Sequence, residues 1–304
     1  MIDAFIHEHA NDWPVATLCE ALGVSAAGYY SRHVRLPSSR RERRDALLVA
    51  IRSAHAEAKS RYGSPRIHAE LEAQGHACCV NTVARIMREA GIAAKTKRKF
   101  RQTTDSNHPH PVAENLLDRK FDPTAKNQSW VTDITYIATR EGWMYLAVVE
   151  DLFSRMVVGW SMDATMTSRL VVDALEMAVA RRLPGADLVA HSDRGTQYAS
   201  EHYRGLLGAQ GIACSMSRRA NCWDNSPMES FFASLKKELV HDEDYLTREQ
   251  ARASIFEYIE TWYNRVRRHS KLSYLSPVDY EASKPQSPLT HCPFFVGNSK
   301  PIQV

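Results

Sequence analysis

Through roughly the first hundred residues the apolar positions recur at helical spacing, punctuated by glycine and proline. In residues 13–34 a short helix carries Leu18 and Leu22 at i, i+4. Gly23 stops it, and Ser25 can cap a second helix bearing Tyr29 and Tyr30. A long helix is predicted from Arg40 to Lys59, with Leu47, Leu48 and Ile51 on one face. Ser64 then caps a helix with Pro65 at its first position and Gly75 at its end. Asn81 or Thr82 opens the next, which runs to Glu89 and is closed by Gly91. Helix, glycine turn, capped helix thus occurs twice. That is the helix-turn-helix pattern, although Leu22-Gly23-Val24-Ser25 would serve any tight helical hairpin.

From residue 129 the period changes. Ser129–Ala138 is rich in β-branched and aromatic residues, Arg140-Glu141-Gly142 makes a turn, and Trp143–Leu152 and Met156–Met162 complete an antiparallel meander. A helix over Ser168–Arg182 is apolar at Leu170, Val171, Ala174, Leu175, Ala178 and Val179. A strand (Asp187–Ser192), a helix (Ser200–Ala209), a strand (Ile212–Ser217) and a helix (Pro227–Val240) follow. The order predicts a mixed α/β fold, a central sheet flanked by helices. A last helix is expected from Arg248 to about Arg265, carrying Ile255, Ile259 and Trp262. Between the two textures, Pro109, Pro111 and Pro123 among polar residues predict a linker.

The length, 304 residues, fits two domains. No apolar run approaches a membrane span, and Met1 to His9 has neither the basic start nor the apolar stretch of a secretory signal. Six cysteines without a C-x-x-C pair point to reduced thiols in a cytosolic protein. The net charge of +4 is uneven: residues 1–104 hold 17 Lys and Arg against 10 Asp and Glu, and the rest 22 against 25. A basic third before an acidic remainder suits a polyanion-binding part and a separate working part, a solvated charged surface being the plainer alternative. Asn81, Thr82 and Arg85 stand where a recognition helix would face a groove, and Lys95, Lys97, Arg98, Lys99 and Arg101 extend the basic footprint, so the first part is expected to bind DNA.

Three carboxylates stand out in the second part. Asp133 interrupts the first strand, Asp193 ends the fourth, and Glu229 lies in the first turn of the helix opened by Ser226-Pro227. Each has an ordinary reading: Asp133 facing water, Asp193 in a turn, Glu229 complementing a helix dipole. Together, carboxylates from two strands and a helix suit hard divalent cations. Two such ions, about 4 Å apart, can activate an attacking oxygen and steady a leaving one in phosphodiester displacement.

Thirty-five residues separate Asp193 from Glu229 and 59 separate Asp133 from Asp193. This spacing resembles the DDE core of retroviral integrases and related transposases. Trp130-Val131-Thr132-Asp133, Asp151-Leu152-Phe153-Ser154-Arg155, His191-Ser192-Asp193-Arg194-Gly195 and Asp224-Asn225-Ser226-Pro227-Met228-Glu229 are similar to the OrfB transposases of the "insertion sequence three" family. So are Tyr263-Asn264, Arg267, His269, Leu272 and Ser276-Pro277. The resemblance spans residues 14–282. It implies an α/β, RNase H-like mixed-sheet catalytic core preceded by all-α helix-turn-helix units. The layout expected is a helix-turn-helix-like segment (1–45), a second such unit with a basic tail (46–104), a linker (105–127), the catalytic core with a C-terminal helix (128–282) and a tail (283–304).

The family likeness further implies strand cleavage and strand transfer at insertion-sequence ends. Asp133, Asp193 and Glu229 would hold two Mg²⁺ ions, with Mn²⁺ able to substitute. Lys236, two turns beyond Glu229 on the same helix face, and Lys237 would contact phosphates. Tyr136 and Tyr198 are expected to pack or touch DNA rather than act as nucleophiles, and Asp151 and Asp224 are reserve carboxylates. Trp223 and Asn225 are expected to shape the loop before the Glu229 helix. The implied partners are terminal inverted repeats, target DNA, an upstream OrfA-type protein or an OrfA–OrfB fusion, and further copies of the chain on DNA. No membrane is implied; the expected location is the bacterial cytoplasm, at the nucleoid. The competing readings are a nuclease of the same core that does not join strands, another integrase or recombinase, and a non-catalytic DNA-binding regulator.

Overall fold

A computed structural model describes residues 2–34, 38–95, 113–218 and 222–284. The chain divides into two units, residues 1–94 and 95–304.

In the first unit, helices α1 (Ile2–Glu8), α2 (Val15–Ala21) and α3 (Ala26–Val34) close on a small core of Ile6, Cys19 and Tyr29. Gly23 sits between α2 and α3 at φ +67°, a left-handed turn that only glycine makes cheaply. Helix α4 (Ser39–Glu57) is continuous through the expected boundary at 45/46, so that division falls inside one helix. Ser38 caps it by accepting from Arg41 N. α5 (Ser64–Ala73) and α6 (Val80–Glu89) form the second hairpin, with Ile51 of α4, Ile67 and Leu71 of α5, and Val83, Ile86 and Met87 of α6 buried. Each starts earlier than expected, with Gly63 at the N-cap in place of Ser64 and Cys79 in place of Asn81 or Thr82.

The second unit is built on a five-stranded sheet. β1 (Ser129–Thr139), β2 (Gly142–Asp151) and β3 (Met156–Asp163) form the antiparallel meander; β4 (Val189–Ser192) and β5 (Ala213–Met216) join in parallel, giving the order β3-β2-β1-β4-β5. Alternation then decides which side chains face which helices. Trp130, Ala147 and Val149 share a core with α7 (Ser168–Arg182) and with Tyr198 and Tyr203, which lie on α8 (Thr196–Ala199) and α9 (Glu201–Ala209). Val131, Ile137, Leu146 and Val148 share the opposite core with α10 (Ser226–Glu238) and α11 (Arg248–Phe256). Gly159 lets α7 lie on β3: a Cβ there would come within 2.2 Å of Ala174 O.

Two expectations are corrected here. The described part of the 105–127 segment is seated on the core rather than free. Leu117 is buried, the Leu116 and Leu117 amides donate to Ser215 Oγ, and Met216 N donates to Glu114 O. The last long helix is not uniform: α11 gives way to a π-helical stretch, Glu257–Tyr263. That wider turn precedes Asn264, whose amide side chain bonds both Val157 N and Val157 O at 2.9 Å, so it replaces a strand partner at the β3 edge. Among the described residues no helix is long and apolar enough to cross a membrane. A helical, helix-turn-helix-like region is thus followed by a mixed-sheet, RNase H-like core.

Candidate active site

Asp133 and Asp193 are brought together by sheet register. β1 and β4 pair as Ser129↔Val189, Trp130↔Ala190 and Val131↔His191. Continued by two residues, that register sets Asp133 beside Asp193, one step beyond the end of β4. Asp133 lies on the same face as Val131 and Ile137, the face on which α10 packs. Its Oδ1 accepts from Ile134 N at 2.8 Å. Asp193 Oδ1 accepts from Gly195 N at 2.9 Å, which turns the chain into α8. A Cβ on Gly195 would meet that oxygen at 3.0 Å.

Glu229 is supplied by the first turn of α10, with Pro227 in the position that suits a helix start. Asn225 is 6% exposed, and its Nδ2 donates to Thr132 O at 3.3 Å, tying the start of α10 to the residue before Asp133. Thr132 Oγ1 also lies 3.2 Å from Tyr198 OH. Asn225, Thr132 and Tyr198 thus frame the site, and neither tie is visible in local sequence.

Burial first, and then the Asp193 charge, push the Asp133 carboxyl well above its ordinary range. The Ile134 amide opposes this; Glu229 adds to it and Lys236 pulls against it. Tyr198 is likewise pushed well up, by burial and then by Asp133 and Asp193, which keeps its phenol protonated and unfit as a nucleophile. Lys236 is half-buried, its ammonium 4.8 Å from the centre of the Tyr136 ring. Desolvation lowers its pKa and Asp133 raises it. Among the described residues no three His, Cys, Asp or Glu side chains stand close enough to hold one ion between them.

The reserve carboxylates have other work. Asp151 is fully buried, accepting from Asn127 N, Phe153 N and Arg182 Nη2. Asp224 accepts from Arg218, Arg119 and Asn115, and the Arg218 hydrogen bond leads in holding it far below its ordinary range. His191 is also occupied, its ring nitrogens 2.8 and 3.1 Å from Ser215 Oγ and Ser217 Oγ. Burial pushes its pKa down to about 4.

Of the expected DNA contacts, Lys237 is half-buried on α10 and Asn81 is exposed on α6. Thr82 Oγ1 is engaged by Cys79 Sγ at 3.2 Å, and exposed Arg85 meets Glu89 at 3.5 Å. Lys97, Arg98, Lys99 and the Trp223 side chain lie outside the described residues.

Comparison with known proteins gives concordant results. Residues 42–100 match the family described as "HTH-like domain", and residues 123–222 and 229–284 match two described as "Integrase core domain". The chain is 44% identical over 280 residues to "Transposase InsF for insertion sequence IS3A" of Escherichia coli (strain K12), which covers 91% of this chain and 97% of that protein. It is also 44% identical over 263 residues to "Insertion element IS600 uncharacterized 31 kDa protein" of Shigella sonnei, covering 86% and 97%. Among solved structures, a chain of the simian T-cell lymphotropic virus intasome is similar at TM-score 0.47 and 16% identity, covering 82% of this chain and 78% of that one. The HTLV-2 integrase catalytic core in complex with magnesium is similar at TM-score 0.40 and 17% identity, covering 53% and 99%.

Proposed function

The chain belongs to the IS3 family of insertion-sequence transposases, and we propose that it cleaves the ends of its element and joins them to target DNA with Asp133, Asp193 and Glu229 as the catalytic triad. The observation that carries this reading is electrostatic. Asp133, inside a strand, has two further carboxylates close enough to raise its pKa, which is costly unless a cation compensates.

The donor set is all oxygen and suits Mg²⁺. Asp133, Asp193 and Glu229 would hold the metal, two ions in the reading proposed here, with Mn²⁺ able to substitute. When bound, the metal supplies Lewis-acid activation of a water or 3′-hydroxyl and charge stabilisation of the leaving oxygen. The chain's own residues do the rest. β1 and β4 fix the spacing of the two aspartates. α10 would supply Glu229 to them and, two turns on, Lys236, whose ammonium would position a strand phosphate, with Lys237 beside it. In the first unit, Asn81, Thr82 and Arg85, followed by Lys97, Arg98 and Lys99, would bind the terminal inverted repeat. Pairing with an OrfA-type protein, or fusion to one, and assembly of several copies on DNA complete the proposal.

The test is incubation of the full chain with labelled terminal-repeat DNA, with and without Mg²⁺. Joined products are expected from the wild type; nicks alone would indicate a nuclease, and no metal-dependent product a binding protein. Asp133→Asn, Asp193→Asn and Glu229→Gln should each abolish both steps and leave binding nearly intact, because each keeps side-chain shape and removes one negative charge. Near-normal joining by Glu229→Gln would defeat the triad.

A further inference from the structure

The hairpin that carries Asp133 ends in an aromatic surface for which the chemistry above has no use. Trp143 is the second residue of β2, and half of its surface (51%) is exposed. By register, Tyr136 faces Tyr145 and Ala138 faces Trp143, so Tyr136 and Trp143 share one face of the hairpin. Their rings meet edge to face, centroids 5.0 Å apart at 84°. The Lys236 ammonium stands over the same Tyr136 ring. Tyr136 is three residues from Asp133, about 10 Å along an extended strand and by alternation on the other face of the sheet; Lys236, which acts on Asp133 and stands over Tyr136, links the two.

The backbone beneath it is pinned. Thr139 Oγ1 donates to Gly142 O across the turn, Arg140 N donates to Tyr245 O, and Arg248 donates through Nε to Trp143 O and through Nη2 to Glu141 O. An aromatic ring on a pinned turn and against a second ring loses less entropy when something stacks on it than one on a free loop. A cation beside it favours a ligand that carries both a flat ring and negative charge.

We propose that the exposed face of Trp143, backed by Tyr136 and flanked by Lys236, stacks an unpaired nucleobase of the DNA strand whose phosphate Lys236 holds. A base freed near the site of cleavage has a π-face for the indole, and its phosphate is within the reach of a lysine side chain. The inference rests on the transposase reading and names a strand feature, an unpaired terminal base, that this site selects.

Binding of the full chain is measured in EDTA, so that no cleavage intervenes. The two probes are a labelled duplex with a short frayed end and the same duplex fully paired. Trp143→Ala should weaken binding of the frayed probe by about 5- to 150-fold, the range for loss of one stacked base, and change the paired probe by less than about twofold. Trp143→Phe should retain most of the preference. A 2-aminopurine at the frayed position should be quenched by the wild type and recover its emission with Trp143→Ala. Equal losses on both probes, an unquenched 2-aminopurine, or a change in self-association in place of DNA affinity would overturn the proposal. If Trp143→Ala does not fold, wild-type quenching and Trp143→Phe decide. Wild-type cleavage with Mg²⁺ is scored separately: its absence beside an intact frayed-end preference sinks the transposase reading and leaves the platform standing.

Discussion

Arg267→Ala should be among the most damaging single changes in the second unit, although Arg267 is far in sequence from every proposed catalytic residue. Arg267 is 4% exposed and Glu238, the last residue of α10, 3%. The guanidinium donates through Nη2 to Glu238 Oε1 at 2.8 Å and through Nε to both carboxylate oxygens at 3.0 Å. Tyr258 OH adds a bond to Oε2 at 2.9 Å. Truncating the arginine leaves a buried carboxylate with the phenol, and breaking such a pair costs about 3–5 kcal/mol. A protein of ordinary stability has about 5–15 kcal/mol to lose. Replacing both partners with apolar residues, Arg267→Met with Glu238→Leu, removes the buried charges and should return stability to within about 1 kcal/mol of wild type. The assay is urea unfolding of the wild type, both single variants and the double variant at pH 7. A loss below about 1 kcal/mol for Arg267→Ala, or a double variant no better than the sum of the singles, would refute the reasoning. Cleavage by the double variant assigns the role: if activity returns with stability, the pair acts by holding α10; if stability returns alone, the buried pair contributes to activity beyond stability.

Gly159→Ala should destabilise by at least about 2–3 kcal/mol, since the new methyl would overlap the α7 backbone at Ala174 and Ala178; an unchanged thermal midpoint would contradict the packing described. His191 should stay neutral to about pH 4 in the folded protein. Its ordinary pKa is 6.5, so its stabilising contribution is complete above pH 6.5 and is lost as pH falls towards 4, at most about 3 kcal/mol. An imidazole proton titration by NMR with a midpoint near the ordinary value would show that the site is wetter than its burial implies.

What was legible in the sequence follows the range of the forces involved. The three carboxylates could be found because Asp133 goes against the propensity of its β-branched strand and because the spacing of the three, taken together, resembles a known pattern, although each has an ordinary reading by itself. The change from helical to strand period was local too. The ties that hold the site together were hidden because their partners are distant in the chain. Asn225 reaches Thr132, Glu238 reaches Arg267, and Asp151 reaches Arg182. The same is true of Leu116 and Leu117, which read as linker beside the prolines but find Ser215 on β5. The π-helical turn before Asn264 has no periodicity signal, because its apolar residues fit an α-helix equally well until the strand edge it serves is known.

That contrast also separates carboxylates built into the scaffold from those available for chemistry. Glu150 faces Arg155, Asp151 faces Arg182, Asp224 faces Arg218 and Arg119, and Glu238 faces Arg267. In each case a guanidinium, fixed in charge at any accessible pH, stands against the carboxylate and opposes the effect of burial, although burial still outweighs it at Glu150 and Asp151. Around Asp133 the pattern is reversed. The charges acting on it are Asp193, Glu229 and one lysine. Two further carboxylates and one ammonium thus act on a buried carboxyl, and burial with the carboxylates outweighs the lysine. On the function proposed above, a divalent cation bridging protein and DNA would offset the carboxylate charge around Asp133. On this argument metal and DNA should bind with positive coupling: each should tighten the other, since the phosphate supplies oxygens that the protein alone does not close around the ion. Mg²⁺ affinity measured by isothermal titration, using a non-cleavable phosphorothioate end, should therefore rise when that DNA is present. Equal affinity with and without DNA would mean that the three carboxylates already form a complete ion cage.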